Sequence, residues 1–160
     1  MAKEIIREVD ISNPLVVEML HVLHSEVFTA SEWVGNRVPR FRTGQWWIAY
    51  EGAEPIAFAG LRPSLRWEGT GYLASTGVLP KFRGRGLQRR LIRKRLAACS
   101  NNGWHTAITD TLNGNWASMR SLIACGFKPY APVVRWGDKS AVYWIRPTWK
   151  TPTSRVENHP

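Results

Sequence analysis

Apolar and polar positions along this chain alternate, cluster and break in ways that predict its elements. Residues 4–10 alternate weakly, as a half-buried opening strand does. Ser12-Asn13-Pro14 then marks a helix start, a capping side chain followed by proline at the first helical position. Leu15, Met19, Val22, Leu23 and Val27 form roughly one apolar stripe along that helix. From Phe28 to Thr43 the pattern breaks at Gly35 and Pro39, which predicts a loop with room for a short helix. Residues 45–50 and 56–61 are apolar runs joined by Glu51-Gly52-Ala53-Glu54-Pro55, the mark of a hairpin. Residues 71–79 read as a third strand stopped by Pro80, and a helix follows over about 87–101, closed by Asn102-Gly103. Residues 104–111 are strand-like, Leu112-Asn113-Gly114 turns the chain, and Asn115 caps a helix ending at Gly126. Residues 127–136 and 141–145 predict a last antiparallel pair around Gly137-Asp138. Helices interleaved with strands in this order make a mixed α/β domain.

Length and composition narrow the picture. A chain of 160 residues, 44% hydrophobic and 21% charged, has material for one core and is not a solvated, disordered polymer. Residues 1–146 are expected to form a single domain, with the Pro- and Thr-rich 147–160 as a flexible tail. No apolar run approaches the roughly 18 residues of a membrane span, and charges at Lys3, Glu4, Arg7 and Glu8 interrupt any signal-like stretch. Cys99 and Cys125 are too few for a disulfide framework. Together these predict a cytoplasmic protein that has no membrane partner.

The charge changes the picture more. Lys and Arg number 22 against 12 Asp and Glu, a net +10, and eight of those cations lie in the fifteen residues 81–95. Such a surplus points to an anionic partner. Arg83-Gly84-Arg85-Gly86-Leu87-Gln88-Arg89 lies between a strand end and a helix start. Its glycines allow a tight turn that gathers N–H groups into one concavity, the helix adds its positive end, and the arginines line the rim. A pyrophosphate suits such a bend. Neither G-x-x-x-x-G-K-[ST] nor G-x-G-x-x-G is present, since position 89 is arginine.

With Val78, Pro80, Phe82, Arg83 and Gly86 this stretch resembles the [RQ]-x-x-G-x-[GA] loop of the GNAT superfamily, the GCN5-related N-acetyltransferases, and its preceding strand. Gln88 departs from the final small residue, which is tolerated where its side chain points outward. Asn115-Trp116-Ala117-Ser118, running through Leu122 to Gly126-Phe127, resembles the family's second signature. The resemblance covers about residues 45–145. It implies a central mixed, mostly antiparallel sheet flanked by helices, with two splayed parallel strands, here 71–79 and 104–111. It implies acetyl-CoA as cosubstrate, no metal, and direct attack by a primary amine in a ternary complex. Backbone groups around Val78 would hold the pantetheine, with Asn115 and Ser118; Arg83, Gly84, Arg85, Gly86, Leu87, Gln88 and Arg89 would hold the pyrophosphate. A homodimer is a further expectation, because the family's domains often pair.

This chain departs from the family at both proton-transfer roles. The motif helix often carries a tyrosine as general acid, and Leu122 stands there. Ser75 stands where many members have a carboxylate on the first splayed strand. Some members use a carboxylate five residues before the asparagine, and here that residue is Asp110, the only carboxylate on either splayed strand. Asp110 is therefore the candidate catalytic base, with a turn-stabilising aspartate as the alternative. Two other functions compete: a protein of this fold that modifies or binds nucleic acid, suggested by the +10 charge, and a catalytically silent CoA-binding module.

Arg89 is expected to face the cosubstrate, with Arg90, Arg93, Lys94 and Arg95 on a solvated face opposite Leu91, Ile92, Leu96 and Cys99. His21 and His24 lie one turn apart but lack companions for a metal site. His105 and Cys125 read as structural. Trp46, Trp47 and Trp144 read as core, while Trp33, Trp67, Glu26 and Glu32 are candidates for lining an acceptor pocket that takes a small-molecule or peptide amine.

Overall fold

The computed structural model describes residues 3–28 and 40–148. Strand β1 (Glu4–Val9) leads into α1 (Pro14–Val27), where Asn13 caps the helix by accepting from the Leu15 N–H. The buried face of α1 is Val17, Leu20, Leu23, His24 and Val27, spaced three and four apart, whereas Leu15 and Val22 are exposed. The stripe is thus rotated from the one expected, because Val17 and Leu20 complete the continuous face.

Strands β2 (Gln45–Glu51), β3 (Glu54–Pro63) and β4 (Thr70–Val78) follow as an antiparallel meander. A short 3₁₀ turn (Pro80–Phe82) leads to α2 (Leu87–Asn101), then β5 (Thr106–Leu112), α3 (Trp116–Ala124), β6 (Lys128–Tyr130) and β7 (Ala141–Pro147). The seven strands among the described residues lie in the order β1-β2-β3-β4-β5-β7-β6, antiparallel except for the parallel pair β4–β5. The last pair forms as expected, but its first strand is only three residues long. Residues 131–140 fold as an extended loop instead of a tight hairpin around Gly137-Asp138, and β7 inserts between β5 and β6.

Alternation along the central strands divides the interior into two layers. Trp46, Ile48 and Phe58 pack under α1 with Phe41, while Trp47, Leu61, Leu73 and Trp144 pack under α2 and α3. Gly77 of β4 lets α1 approach closely: a Cβ there would stand 2.7 Å from both the Phe58 ring and Val27. Gly77→Ala is expected to destabilise the fold by about 1–3 kcal/mol through overpacking, read as a lower midpoint with unchanged slope in urea unfolding.

Two departures from regular pairing open the sheet. Between the pairs Ala59↔Thr76 and Leu61↔Leu73, the single residue Gly60 faces both Ala74 and Ser75, a bulge that bends β4. Strand β4 pairs with β5 only at Thr70, Gly71 and Tyr72. Beyond Tyr72 the two strands part.

Candidate functional site

The parting of β4 and β5 produces a cleft of about 900 Å³ whose walls come from both strands, the 3₁₀ turn, α2 and α3. At its apex Thr109 Oγ1 donates to Leu73 O at 2.9 Å, a side-chain bond across the two strands just past their last paired residues. Leu122, Ile92 and Ser121 line it, as do the carboxylates of Asp110 and Asp138.

At the far end of β4, Gly84 and Gly86 adopt φ of 80° and 77°, the left-handed region that glycine enters without strain. Gly86 is the N-cap of α2 and offers no side chain to the helix. The first bond back into the loop runs from Arg90 N–H to Gly86 O, so the N–H groups of the first turn, at Leu87, Gln88 and Arg89, are the orphan donors of a helix start. Arg83, Gly84, Gly86, Leu87, Gln88 and Arg89 all line the cleft. Leu87 does so as a buried residue.

Arg85 does not line it. Its guanidinium turns away to Glu51 at 2.9 Å and Glu4 at 3.5 Å and stacks over Phe82. Arg83 Nε donates to Val78 O at 3.1 Å, so one of the backbone groups expected to face pantetheine is bonded to a neighbouring arginine. Gln88 points inward, not outward: Nε2 donates to Ser118 Oγ at 3.0 Å and Oε1 accepts from Ser121 Oγ at 3.4 Å. Its amide thereby ties the start of α2 to α3, which explains why a large residue is accommodated there. Asn115 Oδ1 accepts from the Ser118 N–H and caps α3. Arg120 adds a cation to the cleft wall that the sequence had not singled out.

Asp110 sits half-buried near the apex, and Tyr72 Oη donates to its Oδ1 at 2.8 Å. Burial raises the Asp110 carboxyl above the usual carboxylate range, and the Tyr72 hydrogen bond partly opposes that. Burial first, then the Asp110 charge and hydrogen bond, push Tyr72 upward, so it stays a neutral donor. Asp138 arrives from the 131–140 loop; hydrogen bonds from Ser140 keep it ionised. That loop is anchored where the Trp136 and Gly137 N–H groups both donate to Tyr143 Oη. Tyr72, Trp136 and Tyr143 form an aromatic wall beside Asp110, with ring centroids 4.8–5.5 Å apart. Tyr72 is the residue sequence reading missed; its alternation on a strand carries no sign of a partner 38 residues away.

The remaining candidates fall as follows. Arg90 pairs with Glu4 at 2.6 Å, Arg93 and Lys94 are exposed, and Arg95 is buried, contrary to the solvated face expected for it. Spacing explains this, since Arg95 lies four residues after Leu91 and four before Cys99, both of the apolar face. His21 meets the edge of the Phe41 ring, and His24 is buried among Phe28, Phe41 and Phe58. His105 Nδ1 lies 3.0 Å from Thr106 Oγ1. Burial pushes both thiols up, Cys99 to about 11. Trp46, Trp47 and Trp144 are core. Trp67 is half-exposed with its ring 6.0 Å from Tyr130, Glu26 is exposed, and Glu32 and Trp33 lie outside the described residues. Among the described residues no helix is long and apolar enough to cross a membrane.

Comparison with known proteins agrees with this geometry. The family model described as the acetyltransferase (GNAT) family matches residues 17–127, more than half the chain. No curated protein matches. The structure is similar to that of yncA from Salmonella typhimurium, solved with its cofactor acetyl-CoA (TM-score 0.69, 19% identity, 96% of this chain and 98% of that one). It is also similar to a GNAT-family acetyltransferase from Staphylococcus aureus (TM-score 0.75, 14%, 92% and 100%) and to the ribosomal-protein-S18-alanine N-acetyltransferase from Escherichia coli (0.67, 16%, 95% and 98%). At such identities these are likenesses of fold. The family match, on a chain whose two strands part above a glycine–arginine loop, carries the conclusion that this protein belongs to the GNAT acetyltransferase family of acyltransferases.

Proposed function

We propose that the protein transfers an acetyl group from acetyl-CoA to a primary amine. The observation that carries this reading is the parting of β4 from β5 beyond Tyr72, between an open helix start with arginines and a half-buried carboxylate. Acetyl-CoA suits the cleft from end to end. The N–H groups at the start of α2, with Arg83 and Arg89, would receive the diphosphate. The pantetheine would lie between the strands, with Asn115 and Ser118 beside it. Arg85 would act from outside, bracing the loop against Glu51 and Glu4.

The amine nitrogen attacks the thioester carbonyl carbon; its C–N bond forms as the C–S bond breaks, and the thiolate leaves with the electron pair. Asp110 takes the proton from the amine, directly or through a water. Asp138 and the aromatic wall favour a cationic acceptor on that side. The dispersal of Arg89, Arg90, Arg93 and Arg95 among cleft, ion pair, solvent and core supports a small cosubstrate over a polyanion surface.

The direct test is CoA thiol release from acetyl-CoA across a panel of amines: acceleration by at least one amine is expected, and none across the panel would leave a silent CoA binder. Asp110 must be ionised to act, so activity should rise with pH through an acid limb lying above the ordinary carboxylate range. Tyr72→Phe removes a contact that lowers the Asp110 pKa, so the limb of its kcat/KM profile should move to still higher pH. A shift downward would contradict the assignment.

A further inference from the structure

Arg95 is the most deeply enclosed cation among the described residues, at 3% exposure on the face of α2 that packs against the sheet. Its guanidinium is held at three points. Nε donates to Leu91 O at 3.3 Å, and Nη1 donates both to Gly60 O at 3.3 Å and to Ala74 O at 3.1 Å. Gly60 and Ala74 are residues of the bulge, left out of the β3–β4 ladder. Arg95 therefore satisfies carbonyls at the place where β4 bends away from β5.

Two further facts are not explained by that bracing. Among the described residues no carboxylate is an electrostatic neighbour of this charge: those neighbours are Cys99 on its own helix, Cys125 just after α3 and Tyr72 on β4. Burial raises all three, so they are neutral near pH 7. Burial also pulls Arg95 itself down, to about 9, which still leaves it charged near neutrality. In addition, Nη2 has no hydrogen-bond partner among the described residues, yet the sealed atoms without a partner among them are Tyr130 Oη and Trp136 Nε1. Nη2 is thus not among the sealed atoms, and Arg95 is one of the residues that line the cleft.

Its level in the cleft matters. From Val78, beside the arginine loop, to Ala74 is four residues of strand, roughly 13 Å, close to the length of an extended pantetheine arm. A cosubstrate with its diphosphate at the loop would end its arm beside Arg95, on the α2 side of the sheet. Asp110 and Tyr72 stand on the opposite side. The base and the buried cation thus flank the position where the thioester would lie.

We propose that Arg95 is a catalytic residue that holds the β4 bulge through Nη1 and presents its charge through Nη2 to the thioester sulfur, stabilising the thiolate as the C–S bond breaks. In this role it stands in for the proton donor absent at Leu122: the sulfur keeps the electron pair, is paired electrostatically, and takes its proton from water after release. The inference rests on the proposed use of acetyl-CoA.

The test uses free CoA and the intact protein, and needs no knowledge of the acceptor. The thiol of bound CoA is titrated by its thiolate ultraviolet absorbance, alongside calorimetric binding. In the wild type its pKa should fall by about 1–3 units relative to free CoA, as for a group beside an opposite charge. Arg95→Lys should retain most of that shift. Arg95→Gln, which keeps a donor for the bulge carbonyls but no charge, should bind CoA with the thiol returned to its free value. A wild type that binds CoA with an unshifted thiol overturns this inference alone. So does an Arg95→Gln protein whose bound thiol is shifted as in the wild type, since Arg95 would then be only a brace. A wild type that takes up no CoA overturns the cosubstrate reading and this inference with it. Should Arg95→Gln fail to fold, Arg95→Lys decides: its shift should persist, and its loss in a folded variant that binds CoA would count against a role for the charge.

Discussion

Asp110→Asn is expected to lower kcat by about 10²–10⁴ with any amine the protein accepts, the range associated with a positioned general base. Binding of CoA should change little, since Asp110 lies two residues beyond the last β4–β5 pair, near the apex and away from the arginine loop. The variant is also expected to fold. A carboxyl raised by burial favours the folded state when protonated, and that contribution is lost as pH rises through the folded pKa. Burial thus disfavours the ionised form of this side chain, and the neutral amide removes that cost wherever the carboxyl is ionised. Thermal unfolding of Asp110→Asn at pH 7 should give a midpoint no lower than that of the wild type. A turn-stabilising aspartate would behave in the opposite way: stability would fall and single-turnover chemistry would persist.

The second large effect belongs to the arginine-loop end of the cleft, where the diphosphate is proposed to sit. Arg83 and Arg89 are exposed cations lining the cleft on either side of the helix start. A charge-assisted contact is worth about 1.5–3 kcal/mol, so the double variant Arg83→Ala/Arg89→Ala should weaken CoA binding by roughly 10²–10⁴ in calorimetry. Its remaining affinity should depend less on salt than that of the wild type, because fewer charges take part. Arg85→Ala is the internal control. Its side chain faces Glu51 and Glu4, so its loss removes surface ion pairs worth at most about 1 kcal/mol and should alter CoA affinity only a few-fold. Equal losses from Arg85 and from Arg83 or Arg89 would mean that the loop rearranges on binding.

These contrasts show where sequence reading reached and where it stopped. The arginine–glycine bend was legible because its chemistry is local: φ near 80° at Gly84 and Gly86 and a bare helix start are properties of a few consecutive residues. Whether each arginine faces the cleft was not. Arg85 turns away because Glu4 and Glu51, on strands β1 and β2, lie across from it, and neither neighbours it in the chain. Gln88 was a mismatch to the motif until the fold set Ser118 and Ser121 opposite it.

Arg95 is the instructive error. Its spacing from Leu91 and Cys99 places it on the apolar face of α2, whereas its charge alone points to solvent. What makes the buried position tenable is the pair of carbonyls at the bulge, and a bulge is a property of two paired strands that neither strand announces alone. Tyr72 was missed for a similar reason. Tyrosine on a strand is ordinary; only the parallel pairing of β4 with β5 brings its hydroxyl to Asp110.

The sequence by itself determined the run of helices and strands, the glycine–arginine bend and the aspartate near the end of β5, since hydrophobic period, capping residues and glycine conformation act over a few residues. Tertiary structure alone decided the insertion of β7 between β5 and β6, the arrival of Asp138 at the cleft, the partner of Asp110 and the burial of Arg95. Each of these depends on which distant segments meet. Such meetings are set by how the whole chain buries its apolar faces while satisfying its backbone polar groups, a condition no short stretch can fulfil alone.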